Sequence, residues 1–454
     1  MAALLIPGWS KAQSVPGAAE RAAPPPQIPL RDFFRNPVRG YFQVSPAGDT
    51  ISFMQPFEHR MNLFVQARNE AEPHRITGET ERDIAGYFWK GNEHLLYLKD
   101  FKGDENFHLV SVGRDGKNLR DLTPFPGVRA EIIDDLKDNP REILVGLNRR
   151  SREVFDAYRL DVQSGKLTLA ARNPGNITGW VTDHAGRIRA AVTTDGVNSS
   201  LLYRSGERSP FKTILTTNFR ESVSPLFFSF DNRDLYAVSN LNRDKAAVVL
   251  LDPATGKEKS LVFEQPEVDA GGLSYSRKRK VLTTAYYTTW KSQREYLDEA
   301  TRKLFEGLEA KLPGYEIDLQ SSDLDENTFI VAASNDRTRG KRYLYDLRKD
   351  ELTLLAEISP WLKEGELAPM QPVSFKSRDG LTLNGYLTLP LGRDPHHLPV
   401  VVNPHGGPWA RDEWGFNPEV QFLANRGYAV LQVNFRGSTG YGRAFWEASF
   451  KQWG

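Results

Sequence analysis

The stretch Asn403-Pro-His-Gly-Gly-Pro408 follows directly on the apolar run Val400-Val401-Val402. Chemistry that passes through a tetrahedral oxyanion needs backbone N–H groups aimed at the developing charge, and side chains beside those groups would obstruct the approach. His405, Gly406 and Gly407 have the form of a turn that offers such amides at the exit of a strand. Gly406 and Gly407 are therefore the candidate oxyanion donors, with Gly407 the first choice. A second glycine-rich stretch, Arg436-Gly-Ser-Thr-Gly-Tyr-Gly442, follows the apolar segment Tyr428 to Asn434. Its glycines permit a tight backbone path. Arg436 reads first as a brace for this loop and second as a contact for a substrate carboxylate.

An acyl-transfer centre also needs a nucleophile, a base and an acid. The nucleophile of an α/β-hydrolase sits in Gly-x-Ser-x-Gly between a strand and a helix. No such run occurs in the 454 residues, and Gly272-Leu-Ser-Tyr-Ser276 fails at its last position. In that fold the triad follows the oxyanion turn in the order Ser, Asp or Glu, His. His59, His74, His94, His108, His184, His396 and His397 precede the turn and His405 lies within it. None fits the base, and all seven upstream histidines are expected on the surface or the rim. His396-His397 lacks metal-ligand spacing. With no cysteine, disulfides, thiolate metal sites and a Cys nucleophile are excluded. No metal or organic cofactor signature is present.

The elements that would position the turn are legible around it. Val373 to Arg378 and Leu381 to Leu389 read as two strands about the hairpin signal Asp379-Gly380, with Leu381, Leu383, Leu387 and Leu389 on one face. Val400 to Val402 reads as a strand covered on both faces, Pro418 to Arg426 as a helix, and Tyr428 to Asn434 as a parallel strand.

The long middle is different. From Tyr41 to Ile358 short strands alternate with turn signals. A polar turn feeding a β-rich run recurs at Val44–Phe53, Phe88–Tyr97, Leu136–Val145, Val181–Ala190, Phe228–Ala237, Tyr275–Thr284 and Asp323–Ala332. The spacing of roughly 43–48 residues is that of propeller blades built from four short strands. Second hairpins follow in several units, as in Leu160-Asp-Val-Gln-Ser-Gly-Lys-Leu-Thr168 and Leu250-Leu-Asp-Pro-Ala-Thr-Gly-Lys257, where Asp and Gly suit a tight turn. The expected fold is an all-β propeller of about seven blades over 41–358, followed by the N-terminal part of an α/β-hydrolase domain over 359–454. One unit breaks the pattern: Trp290 to Lys311 reads as an amphipathic helix inserted in the sixth blade, with Tyr296, Leu297, Leu304, Phe305 and Leu308 near helical spacing.

Composition sets the limits. A net charge of +1 speaks against a nucleic-acid or anionic-membrane partner held by bulk charge, and no run reaches the roughly 18 apolar residues of a membrane span. Residues 1–29 read as a leader: Met1-Ala-Ala-Leu-Leu-Ile6 and the small-x-small run Ser10-Lys-Ala12 resemble the tail of a signal peptide, which points to export to the periplasm or the medium. Otherwise the protein is cytoplasmic. Residues 30–40 form a short lead into the propeller.

Taken together, the lead Ile28-Pro-Leu-Arg-Asp-Phe-Phe34, the repeat array, Asn403-Pro-His-Gly-Gly-Pro408 and Asn434-Phe-Arg-Gly-Ser-Thr-Gly-Tyr-Gly442 resemble the prolyl oligopeptidase family of serine peptidases. The His-Gly-Gly-Pro form is similar to the acylaminoacyl-peptidase branch. The resemblance implies a Ser-His-Asp peptidase acting on oligopeptides, an oxyanion donor in Gly406-Gly407, and an active-site entrance shaped by Arg436 to Gly442, with His405 beside it. The family's nucleophile, acid and base would lie beyond Gly454, so no catalytic triad residue is expected within this chain, and the chain alone is expected to be inactive. Two alternatives stay open: a non-catalytic propeller binding module or relic of a truncated gene, and an esterase of the same fold. The partner implied is a short peptide; the oligomeric state is left open.

Overall fold

A computed structural model describes residues 23–452. The signal-peptide reading of Met1 to Ala12 lies outside the described residues.

Seven small antiparallel sheets follow one another along the chain between Gly40 and Glu357. Six have four strands in simple sequence order, and the sixth in the series has three. These are the blades of a seven-bladed propeller. Blade 3 shows the logic. Its second strand, Glu142–Ser151, lies between its neighbours and has Ile143, Leu144, Val145 and Leu147 fully buried. Ile143, Val145 and Leu147 face blade 2 through Leu96 and Leu109, while Leu144 joins Ile188 of blade 4. Each blade thus buries both faces against its neighbours, which is why the middle strands read as apolar runs rather than as alternating ones.

Each of the seven turn-and-strand units falls at the corner between the first and second strand of one blade. The outer hairpins also have a physical cause. Asp161 accepts the amides of Gln163 and Ser164, and Gly165 donates back to its carbonyl; Asp252 and Gly256 repeat the pattern. The Ser164 amide first, and then the Arg141 guanidinium, hold the Asp161 carboxyl down at about 2.

No strand is shared between blade 1 and blade 7. The ring closes through an apolar seam of Phe42, Val44, Ile51 and Phe53 against Ile330 and Leu344, with Leu324 N–H donating to Pro46 O and an Arg68–Asp346 ion pair of 2.9 Å at its edge.

Three expectations are corrected. The helix α2 spans only Glu299–Lys311, and the Ser292–Tyr296 part of the supposed helix is the third strand of blade 6. Asp298, whose carboxylate accepts the Thr301 amide, caps α2 and fixes where it starts. Tyr296 and Leu297 therefore precede the helix; Phe305 and Leu308 are buried in it against blade 7. His108 is not at the surface: it is buried in blade 2 with Nδ1 2.7 Å from Asp121. Val400–Val402 is not covered on both faces. Among the described residues it is an edge strand with one neighbour, leaving Val400 58% and Val402 61% exposed.

After blade 7 the chain builds a mixed sheet. Met370–Lys376 pairs antiparallel with Thr382–Thr388, which pairs antiparallel with Ala429–Asn434, and Val400–Val402 runs parallel on the far side. Helix α3, Pro418–Asn425, is the parallel crossover, capped by Asn417. The N-terminal helix α1, Leu30–Phe34, reaches past the propeller to this part of the chain. Phe33 meets Phe422 edge to face, Ile28 N–H donates to Asn425 Oδ1, and the Asn425 side-chain amide donates to Pro26 O.

Replacing fully buried Leu308 by Ala is expected to cost about 3 kcal/mol. Leu297→Ala, ahead of the helix and partly exposed, should cost less than about 1 kcal/mol. Denaturant unfolding of the two variants checks this, and equal losses would contradict the helix boundary.

Candidate functional site

The turn predicted from sequence stands at the C-terminal end of the parallel edge strand. Asn403 N–H still donates to Leu431 O, and from there the chain leaves the sheet. Gly407 adopts φ +134°, and a Cβ there would lie 2.6 Å from the Trp409 amide nitrogen. Only glycine fits that position. Gly406 has open space around it. Neither the Gly406 nor the Gly407 N–H donates to another described residue. A cavity of about 430 Å³ opens beside the turn, lined by His405, Gly407, Pro408, Phe435, Arg436, Ser449 and Gln452.

A turn with free amides is held by side chains instead. The His405 ring lies flat on Phe435 at 4.4 Å, its Nδ1 2.7 Å from Gly406 O and its Nε2 2.8 Å from Ser438 Oγ. The Ser438 hydroxyl lies within hydrogen-bond distance of both His405 Nε2 and Phe435 O, the latter at 2.7 Å, and joins the two. Thr439 N–H donates to Ala410 O just downstream. The two glycine-rich stretches are thus one assembly, tied at His405–Ser438 and at Thr439–Ala410.

A buried polar row supports it. Asn434 accepts from Asp412 N–H and donates to Asp412 O and to the Tyr441 hydroxyl. Gln432 donates to Asp412 Oδ1, while Asp412 Oδ2 and Gln432 Oε1 are buried without a partner. Burial pushes the Asp412 carboxyl up, with the Gln432 contact and nearby His405 opposing. Arg411 stacks on Tyr441 and donates to Thr289 O of blade 6.

Arg436 lines the cavity, and its guanidinium pairs with Asp379 at 2.7 Å. Ser377 first and Arg436 second hold the Asp379 carboxyl at about 2. The structure therefore brings His405, Gly407 and Arg436 to one cavity, with Arg436 engaged as a brace. Of the upstream histidines none approaches it: His184 stacks on Phe230 in the propeller, and His396 pairs with Asp394 at the surface. Sequence reading did not single out Ser438, Asp412, Gln432 or Asn434. Ser438 was within reach, since it sits in the quoted glycine-rich loop; a lone Asp at position 412 carries no such signal.

A mixed sheet with this strand order, a glycine turn after the parallel strand and a propeller ahead of it define an α/β-hydrolase linked to a propeller. The prolyl oligopeptidase family model matches residues 414–454. Dipeptidyl aminopeptidase BIII of Pseudoxanthomonas mexicana is 36% identical over 97% of this chain and 66% of its own length. Dipeptidyl peptidase family member 6 of Caenorhabditis elegans is 24% identical over 94% of this chain and 63% of its own. The human acylamino-acid-releasing enzyme is 46% identical over 52 residues. Among solved structures, a Mycobacterium tuberculosis puromycin-hydrolyzing peptidase superimposes with a TM-score of 0.69 at 16% identity, over 95% of this chain and 72% of that one, a likeness of fold. The chain belongs to the prolyl oligopeptidase family. It spans about two thirds of the length of the relatives that match nearly all of it.

Ser438→Ala withdraws the hydrogen-bond partner of His405 Nε2 and is expected to destabilise by about 1–2 kcal/mol, read as a lower denaturant midpoint. Asp412 gives a pH signature. Its raised carboxyl binds a proton more tightly folded than unfolded, so its stabilising share is present below about pH 4 and is lost as pH rises through the raised value. Asp412→Asn should remove that part of the slope; an unchanged slope would assign it to another group.

Proposed function

We propose that this chain carries the propeller and the oxyanion-binding part of a serine peptidase that hydrolyses short peptides. The observation that carries the reading is the Gly407 amide: unpaired, on a fastened turn, beside an open cavity, at the C-terminal end of a parallel strand. A backbone N–H held rigidly where charge develops on a carbonyl oxygen stabilises the tetrahedral intermediate and needs no reorganisation during the reaction. Gly407 is the donor, Gly406 completes the turn, and His405 fastens it. Arg436 shapes the entrance while bound to Asp379.

The names of the relatives support amide hydrolysis: two are dipeptidyl peptidases, and one structural neighbour is a puromycin-hydrolyzing peptidase. The nucleophile, general base and acid belong, on this reading, to the part of the relatives' length that this chain does not span. The strand that carries the nucleophile would then pair with the exposed edge at Val400–Val402, which has a free side in this structure. On this reading the propeller restricts access to short peptides.

The test is made on the gene product read at the length of its relatives. It should label with a fluorophosphonate and release naphthylamine from dipeptidyl or aminoacyl naphthylamides. Gly407→Ala, which drives a Cβ into the Trp409 amide, should lower kcat by on the order of 100-fold with KM little changed. No labelling and no hydrolysis would overturn the peptidase reading. Ester cleavage without amide cleavage would favour an esterase. An active Gly407→Ala enzyme would remove Gly407 from the oxyanion role alone.

A further inference from the structure

The segment Gly440 to Ala444 belongs in sequence to the second sheet, yet the propeller holds it. Asp269, at the entry to blade 6, donates its N–H to Gly440 O at 3.0 Å and accepts Gly442 N–H on Oδ2 at 3.1 Å. Its other oxygen accepts from Ala246 in the blade 5 turn at 2.7 Å. In that turn, Lys245 Nζ donates to Tyr441 O at 2.5 Å. Asp244 accepts Arg443 N–H on its carbonyl at 2.9 Å and Ala444 N–H on its carboxylate at 2.7 Å. A propeller side chain therefore caps α4, Arg443–Glu447. Gly442 makes the approach possible: at φ +90° it leaves room for Lys245 Nζ, which a Cβ would meet at 2.5 Å. Arg443–Glu221 and Arg220–Glu447 ion pairs flank the contact.

This contact does not follow from chain connectivity. The covalent links between propeller and sheet run through 35–39 and 358–369, at blades 1 and 7, whereas the clasp sits on blades 5 and 6. Immediately upstream of the clasped segment, Thr439 is bonded to Ala410 and Ser438 to His405. Burial works to raise the Asp244 carboxyl, and the Ala444 amide, Lys245 and Arg443 more than offset it, so the carboxylate is the favoured form in place.

We propose that Asp244 and Asp269 of the propeller are positioning residues for the oxyanion turn: they fix the 440–444 segment, which through Ser438 and Thr439 fixes His405 and Ala410, and so the Gly407 amide. The consequence for catalysis rests on the function proposed above; the mechanical coupling does not. On this reading the oxyanion geometry is complete only while the propeller is clasped, and peptide access and catalytic competence are linked through one contact.

Hydrogen exchange on the 454-residue chain tests the coupling. In Asp244→Ala/Asp269→Ala, exchange should quicken by about fivefold or more in 403–411 as well as in 438–448, the size expected from a lost carboxylate cap. Blades 1 to 3 should be unchanged. Asp244→Asn keeps an acceptor for Ala444 and should stay near wild type. Faster exchange confined to 438–448 would overturn the proposal. If the double variant fails to fold, Asp269→Asn is read in the same way, since it leaves one acceptor oxygen for the two amides. In the full-length peptidase the double variant should lose kcat by about tenfold with KM within about twofold. Unchanged kcat there would also overturn the proposal. A wild type that hydrolyses nothing would sink the proposed function and leave the exchange result standing.

Discussion

A turn that offers backbone amides to a reacting group cannot use those amides to hold itself. This constraint organises the C-terminal part of the molecule. Unpaired N–H groups are costly when buried, so the turn lies at the surface of a cavity, and its rigidity is supplied from outside its own backbone. His405 does this with three contacts: a ring face on Phe435, one nitrogen at Gly406 O and the other on Ser438. Ser438 is itself fixed by Phe435 O, so a residue four positions beyond the sheet strand controls a turn thirty-odd residues earlier. Gly407 is a conformational necessity, and the fastening residues around it supply the order.

The same reasoning explains the polar row of Asp412, Gln432 and Asn434 under the turn. Asn434 takes both backbone groups of Asp412, which pins the loop as it crosses the sheet. An apolar residue at 434 would leave Asp412 N–H and O unpaired in a buried place. The remaining orphans, Asp412 Oδ2 and Gln432 Oε1, sit together, and burial favours the protonated carboxyl there. Polar satisfaction of the main chain has taken precedence over satisfaction of the side chains.

How much of this was legible beforehand divides along a physical line. Local chemistry was readable. All seven turn-and-strand units fall at equivalent corners of the seven blades, because each corner needs the same turn residues and feeds the same buried strand. The Pro418 helix and the order of strands around His405 were readable for the same reason. Misreadings came where a short window is ambiguous. Tyr296 and Leu297 fit a helical stripe but belong to a strand and its exit, because Asp298 sets the helix start three residues from where the stripe seemed to run through. Val400 to Val402 looked doubly covered, yet neighbours, not composition, decide burial. The clasp was invisible: Asp244 and Asp269 are ordinary turn aspartates in sequence, and only the ring of blades brings them to a segment about two hundred residues away.

The cluster at the linkers and the clasp at blades 5 and 6 differ in kind. At the linkers, Ile28, Phe33, Leu362 and Leu367 form a buried apolar cluster with Trp361, Phe416 and Phe422 around them. Burying such side chains contributes roughly 1.5–3 kcal/mol each and is not screened by salt. At blades 5 and 6 the contact is made of hydrogen bonds and partly exposed ion pairs, which contribute about 1 kcal/mol or less apiece and weaken as salt rises. Of these two, the clasp is the one that salt weakens. It is also the one that borders the oxyanion turn, so whatever weakens it loosens the 440–444 segment that leads to Ser438 and His405.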